Sequence, residues 1–318
     1  VVASSDAAKV RADLPGVRVV ATPAEVFGDR AIDLVVIATP NDTHFSLAAA
    51  ALESGKHVVV DKPFTVTVAE ARELAALAAG ANRLLSIFHN RRYDADYLTV
   101  RRLLAGGALG RLVSFESRFD RFRPAVRERW REGTTPGAGL WYDLGPHLVD
   151  QALQLFGYPR TVYADFATLR DNARAVDYFH VLLEYARLRV ALNASTLAAD
   201  PGARFALHGT SASYVKRGLD VQEDALKAGR LPGGAGFGED PEEGVLTRSD
   251  AGVLTTKRIA NERGNYRRYY AQLRDALLAK GPNPVTVDEA IDVMRVIESG
   301  IESYRSRGAT VMISSSAK

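Results

Sequence analysis

The stretch DLVVIATPNDTHFSLAAAALESGKHVVVDKP, residues 33–63, decides the fold. It opens on a β-branched run at residues 33–39 in which apolar side chains follow one another without alternation. Such a run suits a strand buried on both faces, the condition of a parallel sheet. A segment rich in alanine and leucine follows at residues 43–54, reads as a helix and stops at Gly55. HVVVD at residues 57–61 is a second buried strand. Outward from this unit the same grammar repeats. Residues 1–3 and 17–20 are short apolar strands, residues 67–79 form a helix whose Thr67 and Glu70 make a capping box, and residues 84–88 add another strand. The alternation predicts an α/β domain over residues 1–90, a doubly wound parallel sheet of the Rossmann type.

From Arg92 the pattern changes. Residues 93–104 read as a helix, and residues 111–119 alternate like a half-exposed strand. Residues 139–156 are apolar at helical spacing, although Gly145-Pro146 is expected to kink or interrupt that helix. Strand-like runs then follow in series at residues 161–169, 178–185, 188–194, 204–208 and 212–216, and two helices at 266–279 and 287–306 close the chain. Strands in series predict an α+β domain over residues 91–318 with an open-faced, mostly antiparallel sheet. Residues 231–244, dense in glycine, proline and acid, read as a surface loop. Within it Gly234-Ala235-Gly236-Phe237-Gly238 mimics a phosphate-binding loop, but it neither follows a strand nor opens a helix.

Bulk properties narrow the function. The 318 residues suffice for two domains, and 47% hydrophobic with 25% charged residues is the balance of a globular protein. A net charge of +3 gives no basic track for nucleic acid. The densest basic stretches, Arg91-Arg92, Arg121/Arg123 and Arg127/Arg129/Arg131, read as solvated surface or as a polar cluster on the substrate side. There is no cysteine, hence no disulfide scaffold or thiolate metal site, and a reducing cytoplasmic location is permitted. No apolar run approaches the roughly 20 residues that span a bilayer.

Ligands of a doubly wound sheet bind beyond the carboxyl ends of its strands. Three such exits carry polar residues: Ala38-Thr39-Pro40-Asn41, Asp61-Lys62-Pro63 and His89-Asn90-Arg91. Lys62 follows an apolar strand directly and precedes a proline that restricts its backbone. A cation there can lower the pKa of a substrate hydroxyl or polarise a carbonyl. Asp143 and His147 stand at i and i+4, on one face if the segment is helical. An imidazole can take and return an alcohol proton. The same spacing also fits a capped helix start with a satisfied histidine, and a metal site from Asp143, His147 and Asp150 lacks further ligands nearby. His57, His180 and His208 read as structural, whereas His44 either approaches a cofactor or begins a helix.

With these residues in view, the chain resembles the glucose–fructose oxidoreductase and inositol dehydrogenase family, Gfo/Idh/MocA, within it most nearly the scyllo-inositol dehydrogenase-like branch. The resemblance rests on ATPNDTH (38–44), GKHVVVDKP (55–63), FHNRRYDADY (88–97), RERWRE (127–132), VDYFH (176–180) and the Asp143-x-x-x-His147 pair. It implies an NAD(P)-dependent dehydrogenase acting on a polyol, inositol or sugar. Its catalytic residues would be Lys62, Asp143 and His147, with His147 the acid/base, Lys62 polarising the reacting oxygen and Asp143 orienting His147 or the substrate. Asp61 replaces the glutamate usual before the lysine. Cofactor contacts would come from Ser4, Ser5, Asp6, Ala38, Thr39, Pro40, Asn41, His44, Asp61, Lys62 and Asn90. Substrate contacts would come from Lys62, Arg91, Asp143, His147 and Tyr178, with no metal. A sugar or sugar-acid oxidoreductase and a non-catalytic dinucleotide sensor are the alternatives. The resemblance also implies a homodimer or homotetramer formed through the C-terminal sheet, with neither nucleic acid nor membrane as partner.

The family's first strand and Gly-x-Gly-x-x-Gly loop have no counterpart, and the sequence is expected to start inside the domain's second strand, short of one βα unit. Ser4-Ser5-Asp6 then falls where the adenosine ribose is read. An acid there favours NAD over NADP.

Overall fold

The computed structural model describes residues 1–313. The chain begins with β1 (Val2–Ala3), α1 (Ala7–Asp13), β2 (Val19–Val20) and α2 (Pro23–Phe27). It continues through β3 (Leu34–Ile37), α3 (His44–Glu53), β4 (His57–Asp61), α4 (Val68–Gly80) and β5 (Leu85–Phe88). All these strands pair in parallel. They form two sheets, β1-β2 and β3-β4-β5, rather than one continuous sheet. A trough of about 730 Å³ runs between residues 1–3 and residues 31–39, and it leaves Val36 on β3 exposed. The unbroken valines of β4 have the predicted cause: Val58, Val59 and Val60 are all fully buried, with β3 and β5 on either side and α3 against them. Each such side chain contributes about 1.5–3 kcal/mol of burial free energy.

A short 3-10 turn at Asn90–Tyr93 leads into α5 (Ala95–Ala105), β6 (Leu112–Arg118) and α6 (Leu140–Phe156). Then come β7 (Thr161–Ala167), β8 (Tyr178–Tyr185), β9 (Leu188–Ser195), β10 (Phe205–Gly209), β11 (Ala212–Lys216) and α7 (Gln222–Lys227). The described chain ends with β12 (Gly244–Asp250), β13 (Val253–Ile259), α8 (Arg267–Leu277), α9 (Val287–Arg305) and β14 (Val311–Met312). Nine strands make one sheet in the order β13-β12-β11-β10-β6-β9-β8-β7-β14. Only β6 and β9 run parallel; every other pair is antiparallel. Strand β8 buries alternate residues, Phe179, Val181 and Leu183, which gives the sheet one inner face. Helices α6 and α9 cover that face, and Trp141 of α6 packs edge-on against Phe179 with ring centroids 4.9 Å apart.

The structure corrects one expectation that bears on the site. Helix α6 runs unbroken through Gly145-Pro146. Pro146 deprives the Tyr142 carbonyl of its intrahelical donor. Gly145 makes room for the Trp141 ring: a Cβ on Gly145 would lie 2.5 Å from the ring carbon Cε3. Gly145→Ala is therefore expected to destabilise the protein by about 1–3 kcal/mol through overpacking, read as a lower melting temperature. The 231–244 segment is a mostly exposed loop, as expected, with Phe237 buried beneath it.

Helix α9 fastens the two halves. Glu298 accepts a hydrogen bond from Val68 N at 2.7 Å, and Ser86 Oγ of β5 donates to the Val285 carbonyl at 3.1 Å. These ties hold the start of α4 and strand β5 against α9 and the segment just before it, and α9 in turn packs on α6.

Candidate active site

Lys62 leaves β4 at the sheet's carboxyl end, and its backbone N–H is received by Asp61 Oδ1 at 2.9 Å. The ammonium crosses to α6, where it donates to the Asp143 carbonyl and pairs with Asp143 Oδ1 at 3.2 Å. Arg131 Nε approaches the same carboxylate oxygen at 3.4 Å. Burial by itself would raise the Asp143 carboxyl; Lys62, Arg131 and Arg121 outweigh it and bring it down to about 2. Asp143 is thus an ionised carboxylate held between cations.

His147 lies one turn further along α6 and is 5% exposed. Its Nδ1 has no hydrogen-bond partner, and no hydrogen bond joins it to Asp143, whose carboxylate serves Lys62 and Arg131 instead. Burial depresses the His147 pKa well below the ordinary 6.5, and the charges of Lys62, Arg91, His89 and Arg121 depress it further. These influences all favour the neutral imidazole.

His89, just past β5, was not chosen from the sequence as a site residue. It is 2% exposed, neither ring nitrogen has a partner, and burial lowers its pKa as well. Its neighbour Arg92 is bound by Asp150, with Nη2 2.6 Å from Oδ1, and by Glu289 at 3.2 Å. Asp150 is thereby committed to a guanidinium. Two histidines buried in the neutral form carry a linkage consequence. The unfolded chain binds more protons as pH falls through 6.5, so the folded protein should lose stability on the acid side of that value. Melting temperature followed against pH checks this.

The other expected residues divide into two groups. Ser4, Ser5 and Asp6 follow β1, and Ala38, Thr39 and Pro40 follow β3, all partly or fully open. Asp6 uses its carboxylate to cap α1, accepting from Lys9 N at 2.9 Å. The remainder are engaged within the protein. His44 is fully buried and bridges two strand exits, with Nδ1 2.8 Å from the Pro63 carbonyl and Nε2 3.0 Å from that of Thr39. Asn41 donates to the Gly137 carbonyl at 2.8 Å, tying that exit to the segment before α6, and Asn90 is buried in the 3-10 turn. Arg91 is paired with Asp94 at 3.0 Å and with Glu223. Tyr178, half-buried, opens β8. His57, His180 and His208 each bond within the strands or to a strand neighbour.

Two family models together match most of the chain. Residues 1–89 fit the NAD-binding Rossmann fold of the Gfo/Idh/MocA oxidoreductases, and residues 101–313 fit that family's C-terminal alpha/beta domain. The chain belongs to the Gfo/Idh/MocA oxidoreductase family. Among curated Gfo/Idh/MocA proteins it is 56% identical over 308 residues to the Escherichia coli oxidoreductase YdgJ, covering 96% of this chain and 89% of YdgJ. It is 38% identical over 307 residues to the NADP(+) scyllo-inositol 2-dehydrogenase IolW of Bacillus subtilis, covering 96% and 86% of the two chains. Among solved structures it superposes on YPO2259 of Yersinia pestis with a TM-score of 0.93 at 54% identity, over 98% of this chain and 88% of the other. The oxidoreductase yvaA of Bacillus subtilis gives a TM-score of 0.94 at 38% identity, over 98% and 89%. The match to the family's NAD-binding Rossmann fold supports a nicotinamide cofactor.

Proposed function

We propose that this oxidoreductase transfers a hydride between a nicotinamide dinucleotide and a secondary alcohol of a polyol, inositol or sugar. The observation that carries the reading is the meeting of Lys62, Asp143 and a neutral, buried His147 beyond the carboxyl ends of parallel strands. The residues fit a dinucleotide: Ser4–Asp6 and Ala38–Pro40 present open backbone on that side of the sheets, where Ser4, Ser5, Asp6, Ala38 and Thr39 would hold it. Bound there, a nicotinamide supplies the hydride acceptor or donor. The chain's own residues manage the proton and the charge. Lys62, still paired with Asp143, directs another N–H of its ammonium to the substrate oxygen and stabilises negative charge developing on it. Asp143, ionised throughout, keeps that ammonium in place. His147 takes the hydroxyl proton during oxidation and returns it during reduction.

The name of IolW supports an inositol or related polyol, and the cofactor in that name is NADP(+). The acidic Asp6 after β1 favours NAD in this chain. Parallel assays with the two dinucleotides separate these readings, and the nicotinamide absorbance change across a panel of inositols, polyols and aldoses tests the activity itself. Silence across the panel with both dinucleotides would remove the dehydrogenase reading. Because His147 must be neutral to act as base, the acidic limb of kcat/KM for oxidation should lie below pH 6.5. A limb at or above that value would mean another group is titrating. Association through the open-faced sheet is part of the same proposal and is read by light scattering.

A further inference from the structure

The charges around the site do not balance. Most arginines here have carboxylates of their own: Arg91 has Asp94 and Glu223, Arg92 has Asp150 and Glu289, Arg129 has Glu132, and Arg170 has Glu132 and Asp177. Arg204 is paired with Asp96. Lys62 and Arg131 must share Asp143. Arg121 and Arg123 have neither an ion pair nor a side-chain hydrogen bond among the described residues. Lys62, Arg131, Arg121 and Arg123 therefore all draw on Asp143, and the other acids that act on Arg121 and Arg123, Glu223 and Glu132, are already paired with Arg91 and with Arg129 and Arg170.

Arg121 is the sharpest of the four. It follows β6, where its backbone N–H donates to the Ser195 carbonyl at 2.9 Å, so the main chain is fixed. Its guanidinium carbon stands 4.9 Å from the centre of the Phe119 ring, while Arg91 stands 4.5 Å from the same centre. The ring is thus shared between Arg121 and a guanidinium already paired with Asp94 and Glu223. Its charge is felt by both Asp143 and His147. Burial, and then the like charge of Arg123, act against its protonated form. A half-buried cation without a counter-ion is costly, and a planar guanidinium matches a carboxylate or phosphate with two parallel hydrogen bonds.

We propose that the substrate of this site is anionic, with a carboxylate or phosphate gripped by Arg121 while its carbinol lies between Lys62 and His147. The proposal rests on the dehydrogenase reading for the carbinol, but the anion grip is measurable without turnover.

The test uses the full chain and matched probes: gluconate against sorbitol, and inositol monophosphate against inositol, in equilibrium titrations at low and high salt. The acidic member of at least one pair should bind about 10–100-fold more tightly, the range of a charge-assisted hydrogen bond, and the preference should shrink with salt. Which pair shows it distinguishes carboxylate from phosphate. Arg121→Ala should abolish the preference, and Arg121→Lys should restore part of it. The melting temperature of each variant shows whether it is folded, and the wild-type comparison stands if one is not. Equal binding of acidic and neutral members overturns the anion proposal. Turnover measured alongside reports separately on the dehydrogenase reading: oxidation of neutral polyols without an acid preference sinks only the former, and acid binding without dinucleotide reduction sinks only the latter.

Discussion

Replacing His147 with alanine is expected to lower kcat for alcohol oxidation by about 10²–10⁴-fold, the usual effect of removing a general acid/base. The expectation follows from the placement of the imidazole. Its Nδ1 is unpartnered, and burial first, then the surrounding charges, favour its neutral form. Such a group gains a proton only when the reaction delivers one beside Lys62. The substitution should also remove the acidic limb from the pH profile, an effect a merely structural histidine would not have. His147→Asn keeps a polar side chain of similar reach and should be nearly as slow. Steady-state kinetics across pH on both variants makes the check, and wild-type turnover in either one would take His147 out of the mechanism.

Replacing Lys62 with methionine should cost about 10²–10³-fold in kcat, the scale found when one donor to a developing oxyanion is lost. It should also cost stability. Lys62 and Asp143 side chains are only 11% and 16% exposed, so removal of one partner strands a buried carboxylate. Arg131 remains at 3.4 Å and softens the loss, and the Asp143 carboxyl should rise from about 2 toward its ordinary value. The double variant Lys62→Met/Asp143→Asn removes the stranded charge and should melt higher than Lys62→Met alone, while remaining as slow. That pattern separates the structural pairing from the chemistry. A double variant no more stable than the single one would show that the pair is not a coupled unit.

Much of this arrangement is legible in the residues themselves. The parallel strands β3 and β4 declare themselves because β-branched runs have few other uses, and Lys62 stands out because a strand end and Pro63 bracket it. Other features had no local signal. The continuity of α6 depends on the Trp141 ring lying over Gly145, which helix propensity alone cannot express. Hairpin β12–β13 was missed because the outer strand β13 is exposed along almost its whole length, so no alternation marks it. The split of the parallel strands into two sheets is a matter of pairing, not of strand propensity. The engagement of Arg91 by Glu223, 132 residues away, is likewise a tertiary contact with no local signal. His44 and Asn41 occupy the expected exit, but as ties between segments. His89 offered only a place after a strand; its burial with both nitrogens unpartnered is a tertiary fact.

The central claim is that Lys62 and His147 serve hydride transfer from a carbinol carbon to a nicotinamide. A polyol deuterated at its carbinol carbons, incubated with the protein and oxidised dinucleotide, tests it directly when the mass of the reduced dinucleotide is measured. The account predicts a gain of one deuterium per dinucleotide, with a rate that falls in step with the His147 and Lys62 substitutions. Reduced dinucleotide free of deuterium, or label transfer undiminished in His147→Ala, would contradict it.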